Sequence, residues 1–199
     1  MPTLNIDALV NWFDYRKGKL TYSMKGSRNG SDGTADCSGS VSQALKEAGI
    51  PIQGLPSTVY MGSQLAKNGF VRISKNQDWD AQKGDIVLMS WGADMASSGG
   101  AGGHVGVMKN ATNFISVDFS TKGAIGQAVN EYAWNDYYGW NRPAYIEVWR
   151  FSGVTTNRKT PTSAPRVKQH YLANEVKFVN GCYQIRCNEL APVGFDWVN

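Results

Sequence analysis

A chain of 199 residues and 21.8 kDa is long enough for one sizeable core and short of several. Its 7 Trp, 9 Tyr and 7 Phe, with only 18% charged residues, exclude a disordered chain. Three Cys exclude a disulfide scaffold, and no apolar run reaches the roughly 18 residues of a membrane-spanning helix. The net charge is +4. Residues 1–154 hold 14 basic and 13 acidic side chains, residues 155–199 hold 6 and 3, so the excess sits in the last quarter. No block of like charges and no zinc-finger, homeodomain or RNP pattern accompanies it, which excludes a nucleic-acid footprint. The opening MPTLNIDALVNWFDY has no basic head followed by an apolar stretch, so no signal peptide is expected.

In chain order, Ile6, Leu9, Val10 and Phe13 recur at helical spacing within residues 5–16, and Gly18 stops the pattern. Residues 26–36, GSRNGSDGTAD, form a loop dense in turn signals. Residues 38–48 read as a helix with Val41, Ala44, Leu45 and Ala48 on one face, closed by Gly49 and Pro51. A second short helix is expected over 57–67. The period then changes. Asp85–Trp91, His104–Lys109, Phe114–Phe119 and Tyr145–Phe151 read as strands, the first two joined by the loop GADMASSGGAGG. Helices first and closely spaced strands after them predict an α+β fold with an antiparallel sheet. Residues 152–170 have almost no large apolar side chains and contain two Pro, a linker composition. Residues 171–199 return to β-prone composition but are too few for a core of their own. The expected organisation is a catalytic domain at 1–151, a linker at 152–170 and a small or incomplete module at 171–199.

Asp36-Cys37-Ser38-Gly39 stands where the glycine loop enters the 38–48 helix. Asp36 is placed to cap that helix. Cys37 then lies in its first turn, where the helix terminus favours a thiolate. A buried core Cys is the bland alternative, but such Cys sit among large apolar residues rather than Asp, Ser and Gly. A nucleophilic Cys needs a base within reach. Of the two His, His170 lies at the linker edge and His104 enters a strand from a glycine-rich loop. His104 can face a cleft while Val105 and Val107 face the other side. On the next strand Ser116 and Asp118 share a face, opposite Ile115, Val117 and Phe119. Asp118 can hold the imidazole and stabilise its cation, so it is the stronger third partner.

Two distant His and one Cys do not make a zinc site. Asp32 and Asp36 could touch a calcium ion, with a plain turn as the alternative, and no EF-hand pattern is present. Walker A, GxGxxG, HExxH and GxSxG are all missing. Cys182 and Cys187 are five apart with no turn signal between them, so both are expected as thiols.

The stretches TADCSGSVSQALKEAG, QKGDIVLMSWG and SSGGAGGHVGVM, with LTYSMKGSRNG, LPSTVYMGSQLAKNGF and PAYIEVWRF, carry a family resemblance. The sequence resembles the bacteriophage peptidoglycan hydrolases of the NlpC/P60-like cysteine peptidase superfamily, in the phage amidase branch. The resemblance covers most of residues 1–151. It implies a papain-like core, with Cys37 as nucleophile and His104 as general base. The position matching the family's third His is Ser116, a departure that makes Asp118 the substitute. The segment containing Tyr22 resembles the family's, making Tyr22 a candidate oxyanion or substrate contact beside Asp36.

The implied partner is cell-wall peptidoglycan, with no metal or other cofactor required, and a monomer is expected for the catalytic part. The implied life history is synthesis in the host cytoplasm and action on the wall after release. Resemblance leaves open a stem-peptide endopeptidase, which is favoured, and an N-acetylmuramoyl-L-alanine amidase. Acyl transfer and a non-catalytic wall-binding protein on the same fold are the readings from other classes. The tail faintly resembles the start of a cell-wall binding module.

Overall fold

The computed structural model describes residues 2–153 throughout and, beyond them, the backbone of three strands at 173–179, 182–187 and 196–198. The chain divides into two compact units, Met1–Arg158 and Lys159–Asn199.

In the first unit, α1 (Ile6–Asp14) starts where the Asn5 side chain accepts from the Ala8 N–H at 2.9 Å. Two short parallel strands, β1 (Thr21–Tyr22) and β2 (Thr34–Ala35), bracket the glycine loop. Helices α2 (Cys37–Glu47) and α3 (Thr58–Lys67) follow. Then come β3 (Phe70–Lys75), β4 (Ile86–Ser90), β5 (Gly103–Met108), β6 (Asn113–Val117) and β7 (Val129–Ala133). Helix α4 (Trp134–Asn141) and β8 (Tyr145–Phe151) complete the unit. The fold is α+β, with the N-terminal helices packed on an antiparallel sheet of order β3-β8-β4-β5-β6-β7.

Both sheet faces are covered, which is why β4 and β5 are buried along their whole length and read as apolar runs. One face packs Leu88, Val105, Val107, Ile115 and Val117 against Leu9, Phe13, Val41 and Leu45 of α1 and α2. The other packs Val87, Met89, Met108, Phe114 and Val148 against Tyr137 of α4. Asp85, at the entrance to β4, is buried and accepts from both Nε (2.7 Å) and Nη2 (2.8 Å) of Arg150, and from the Trp79 indole N–H at 3.1 Å. That bidentate pair ties β8 to the start of β4.

Two expectations are corrected. Helices do not all precede strands, because α4 intervenes between β7 and β8. The loop joining β4 to β5 holds two 3-10 turns, Met95–Ser97 and Gly100–Gly102. Phe119 does not sit on the apolar face of β6; it lies past the strand's end, exposed, with its ring 5.5 Å from that of Tyr22.

The second unit contains β9 (Ala173–Val179), β10 (Cys182–Cys187) and β11 (Asp196–Val198) in one antiparallel sheet of order β11-β10-β9. The linker expected at 152–170, His170 included, lies outside the described residues except for its first two positions. The same is true of the Cys182 and Cys187 side chains. No described helix is long and apolar enough to cross a membrane.

Candidate active site

Cys37 is the first residue of α2, and Asp36 is its N-cap, the side chain accepting from the Gly39 N–H at 2.7 Å. Arg28, from the glycine loop, donates from Nε to the other Asp36 oxygen and from Nη2 to the Ser38 hydroxyl at 2.9 Å. The Asp36 N–H in turn donates to the Arg28 carbonyl at 3.1 Å. Arg28 itself is held at φ 64°, the left-handed region. Only a glycine fits at 39: a Cβ there would lie 2.1 Å from the Arg28 carbonyl oxygen. The loop and the first turn of α2 are therefore one clasped unit, and Asp36 orients the helix start.

The Cys37 thiol meets the backbone N–H groups of Val105, Ser38 and Cys37 itself, all of which favour its anion. Burial is the larger effect, reinforced by the Asp36 charge, and pushes the thiol up to about 12. This corrects the expectation of a resting thiolate: the helix start supplies donors, but desolvation outweighs them. His104, the second residue of β5, is equally buried, and burial pushes its imidazolium down to about 4 against the pull of Asp118 and Asp36. Both shifts favour the neutral thiol and the neutral imidazole.

Ser116 lies on β6 and Asp118 just past its end; both are buried. The Asp118 carboxylate accepts from the Ser116 hydroxyl (3.3 Å), the Ser120 N–H (3.0 Å) and the Asn130 amide (3.0 Å). Its effect on His104 is through space: among the described residues it forms no hydrogen bond to the ring, and His104 Nε2 is buried without a partner. Tyr22, half-buried at the end of β1, lies within the field of Cys37, Asp36 and Asp118, and burial first, then those charges, raises its hydroxyl well above the ordinary value. A cleft of about 220 Å³ opens on Cys37, walled by Tyr22, Met24 and Arg28 on one side and Ser57, Thr58 and Gly100 on the other. Thr58 donates to the Ser98 carbonyl at 2.7 Å, fastening α3 to the glycine-rich loop that forms that wall.

Asp32 is spent on its own loop, accepting from the N–H and hydroxyl of Ser27 (2.9 and 2.6 Å) and of Thr34 (2.8 and 2.6 Å). Asp36 is occupied by Arg28 and Gly39, so the pair weighed as calcium contacts against a plain turn serves the turn. Among the described residues no group of three or more His, Cys, Asp or Glu is placed to hold a metal.

Sequence reasoning missed Arg28, Asn130 and Tyr137. Arg28 carries no local mark beyond its loop, and Asn130 belongs to β7, a strand with a polar pattern. The Tyr137 ring lies 6.0 Å from that of His104, and its hydroxyl is raised by burial and by Asp118.

A family model described as bacteriophage peptidoglycan hydrolase matches residues 5–157. The chain belongs to that family. Among curated relatives, the lysin of Pneumococcus phage Dp-1 is 38% identical over 143 residues, which are 71% of this chain and 45% of the lysin. The chain thus spans about half the length of that relative. Solved structures similar to it include NlpC2 from Trichomonas vaginalis (19% identity, TM-score 0.46, 72% of this chain and 47% of that one). Another is the NlpC/p60 domain of the peptidoglycan hydrolase SagA (19% identity, TM-score 0.42, 72% and 97%).

Proposed function

We propose that the protein cleaves an amide bond of bacterial peptidoglycan through Cys37, as a stem-peptide endopeptidase active in host lysis. The observation that carries this reading is the Cys37 thiol at the head of α2, met by the N–H groups of Cys37, Ser38 and Val105 and open to a cleft. With both partners neutral at rest, the thiol proton moves to His104 as sulfur attacks the carbonyl carbon. The new oxyanion takes the Cys37 N–H at the helix start, and Tyr22, whose raised hydroxyl stays protonated, is the second donor. The imidazolium, steadied by Asp118, passes its proton to the leaving amine. Water, deprotonated by His104, then attacks the thioester; the C–S bond breaks to free the acid, and the imidazolium returns the proton to the Cys37 sulfur. Asp36 acts by positioning α2 and does not meet the substrate.

Cys37→Ala tests this directly: turbidity loss and release of soluble fragments from purified cell walls should both cease while the circular dichroism spectrum is unchanged. Retained lysis in that variant ends the mechanism. Mass analysis of the fragments assigns the bond. New free lysine amines mark the endopeptidase, and new L-alanine amines mark the amidase, which uses the same residues.

A further inference from the structure

A cavity of about 520 Å³ in the first unit shares no lining residue with the Cys37 cleft. Trp79, Trp134 and Tyr138 supply its aromatic surface, and Gln77, Asp78 and Asn135 its polar edge. We propose that this groove is a saccharide-binding site that takes an uncharged, N-acetylated glycan segment. The inference rests on the hydrolase reading only for the source of the glycan, the sugar backbone of the wall.

The aromatic surface is fixed in advance. The Trp79 indole N–H is held by the buried Asp85 at 3.1 Å, which locks its ring. The Trp134 ring stands edge-on to it at 5.3 Å and rests on Phe114 at 5.6 Å. Tyr138 lies one turn further along α4, its ring 6.0 Å from that of Trp134. Pyranose rings have an apolar C–H face and a polar rim of hydroxyl and acetamido groups. A rigid aromatic corner suits the face, and amides and a carboxylate suit the rim. Those rim groups are unspent. Among the described residues, the side chains of Gln77, Asp78 and Asn135, the Trp134 indole N–H and the Tyr138 hydroxyl make no intramolecular hydrogen bond. Asn76 accepts with its side-chain oxygen from the Ile146 N–H at 2.7 Å, which leaves its NH₂ to donate.

Charge selects among polymers. The lining contains no Lys, Arg or His and one carboxylate, Asp78. An anionic polymer or a free stem peptide with its carboxylates would meet an acidic group and no cation. A neutral glycan meets neither penalty. The groove is also coupled to the catalytic residues in space: Trp134 and Tyr138 flank it on α4, while Tyr137 of the same helix packs beside His104. A glycan held there is anchored on the helix that backs the catalytic imidazole.

The test uses the full chain and tetra-N-acetylchitotetraose, followed by NMR of the indole N–H resonances. Saturable shifts are expected for Trp79 and Trp134. Tyr138→Ala should weaken binding about tenfold. Asn135→Ala, an exposed position that leaves the aromatic packing intact, should weaken it measurably even if a ring variant fails to fold. Trp140→Ala, on the same helix but outside the cavity and 70% exposed, should bind as the parent does. No saturable shift, shifts confined to Trp140, or tighter binding of polyglutamate than of the oligosaccharide would overturn the site. Cys37→Ala separates the two readings. Sugar binding by an inactive variant of a wall-cleaving parent supports both, and wall cleavage without sugar binding removes the groove alone. Sugar binding by a parent that cleaves no wall removes the hydrolase reading alone.

Discussion

Burial governs the chemistry of individual residues here. His104 is pushed down to about 4 by desolvation, against an ordinary value of 6.5. A neutral base is required for attack, so the acid limb of kcat/KM on soluble wall fragments should fall near pH 4; a limb at 6.5 or above contradicts the buried base. The same shift acts on stability. Between pH 6.5 and 4 the unfolded chain binds a proton at this site that the fold refuses. Stability is therefore complete above pH 6.5 and declines as the pH falls toward 4, by up to about 3 kcal/mol. Urea unfolding across that range should show the slope, and His104→Gln should flatten it. Asp118 stabilises the imidazolium through space rather than by a hydrogen bond. Asp118→Asn should then cost at least about tenfold in kcat, short of the roughly 10⁴ of a hydrogen-bonded triad carboxylate. It should also shift the acid limb to lower pH, because the group that raises His104 is gone. Ser116→Ala, which removes only a 3.3 Å contact to Asp118, should cost less than tenfold. Equal losses in the two variants would remove Asp118 from its assigned place.

At the scale of elements, two glycines in helices behave oppositely. Alanine is intrinsically better than glycine in a helix by about 1 kcal/mol. At Gly139 of α4 nothing lies within 4 Å of an added Cβ, so Gly139→Ala should raise the thermal midpoint by about 2–4 °C. At Gly39 of α2 the added Cβ would meet the Arg28 carbonyl, which is backbone and cannot step aside. Gly39→Ala should cost roughly 1–3 kcal/mol despite its better propensity, and should lower kcat by loosening the clasp on Cys37. Differential scanning calorimetry on both variants checks the pair; a stabilised Gly39→Ala chain would contradict the clasp. The elements that sequence reading missed share a cause. In β3 a bulge falls between Arg72 and Ser74, and only Phe70 and Ser74 are buried while Val71 and Ile73 are exposed. β7 buries only Val129, and α4 buries only Tyr137. Each has too few inward side chains to print a pattern.

For the whole molecule, the sheet is sandwiched between the α1–α2 layer and α4, and the cleft and the aromatic groove belong to this one unit. We propose that residues 1–151 form the catalytic domain and 171–199 a separate module. Residues 152–170 have almost no large apolar side chains to bury, so limited proteolysis should cut there first. A fragment ending near residue 154 should keep the hydrolytic activity. First cuts within α2, α3 or β4 would contradict a single catalytic core.

From sequence alone, α1, α2, α3, β4, β5, β6 and β8 were legible because each buries a regular set of apolar side chains. The α+β class followed from their order. Cys37, His104 and the capping role of Asp36 were legible because helix starts and strand entries leave local signatures in DCSG and GGHV. Tertiary structure alone decided the directions in which the thiol and imidazole are shifted, since desolvation depends on what packs over a group and not on its neighbours in the chain. It alone brought Arg28 onto Asp36 and Asn130 onto Asp118. It alone gathered Trp79, Trp134 and Tyr138 into one groove, since residues this far apart in sequence become neighbours only when both faces of the sheet are covered.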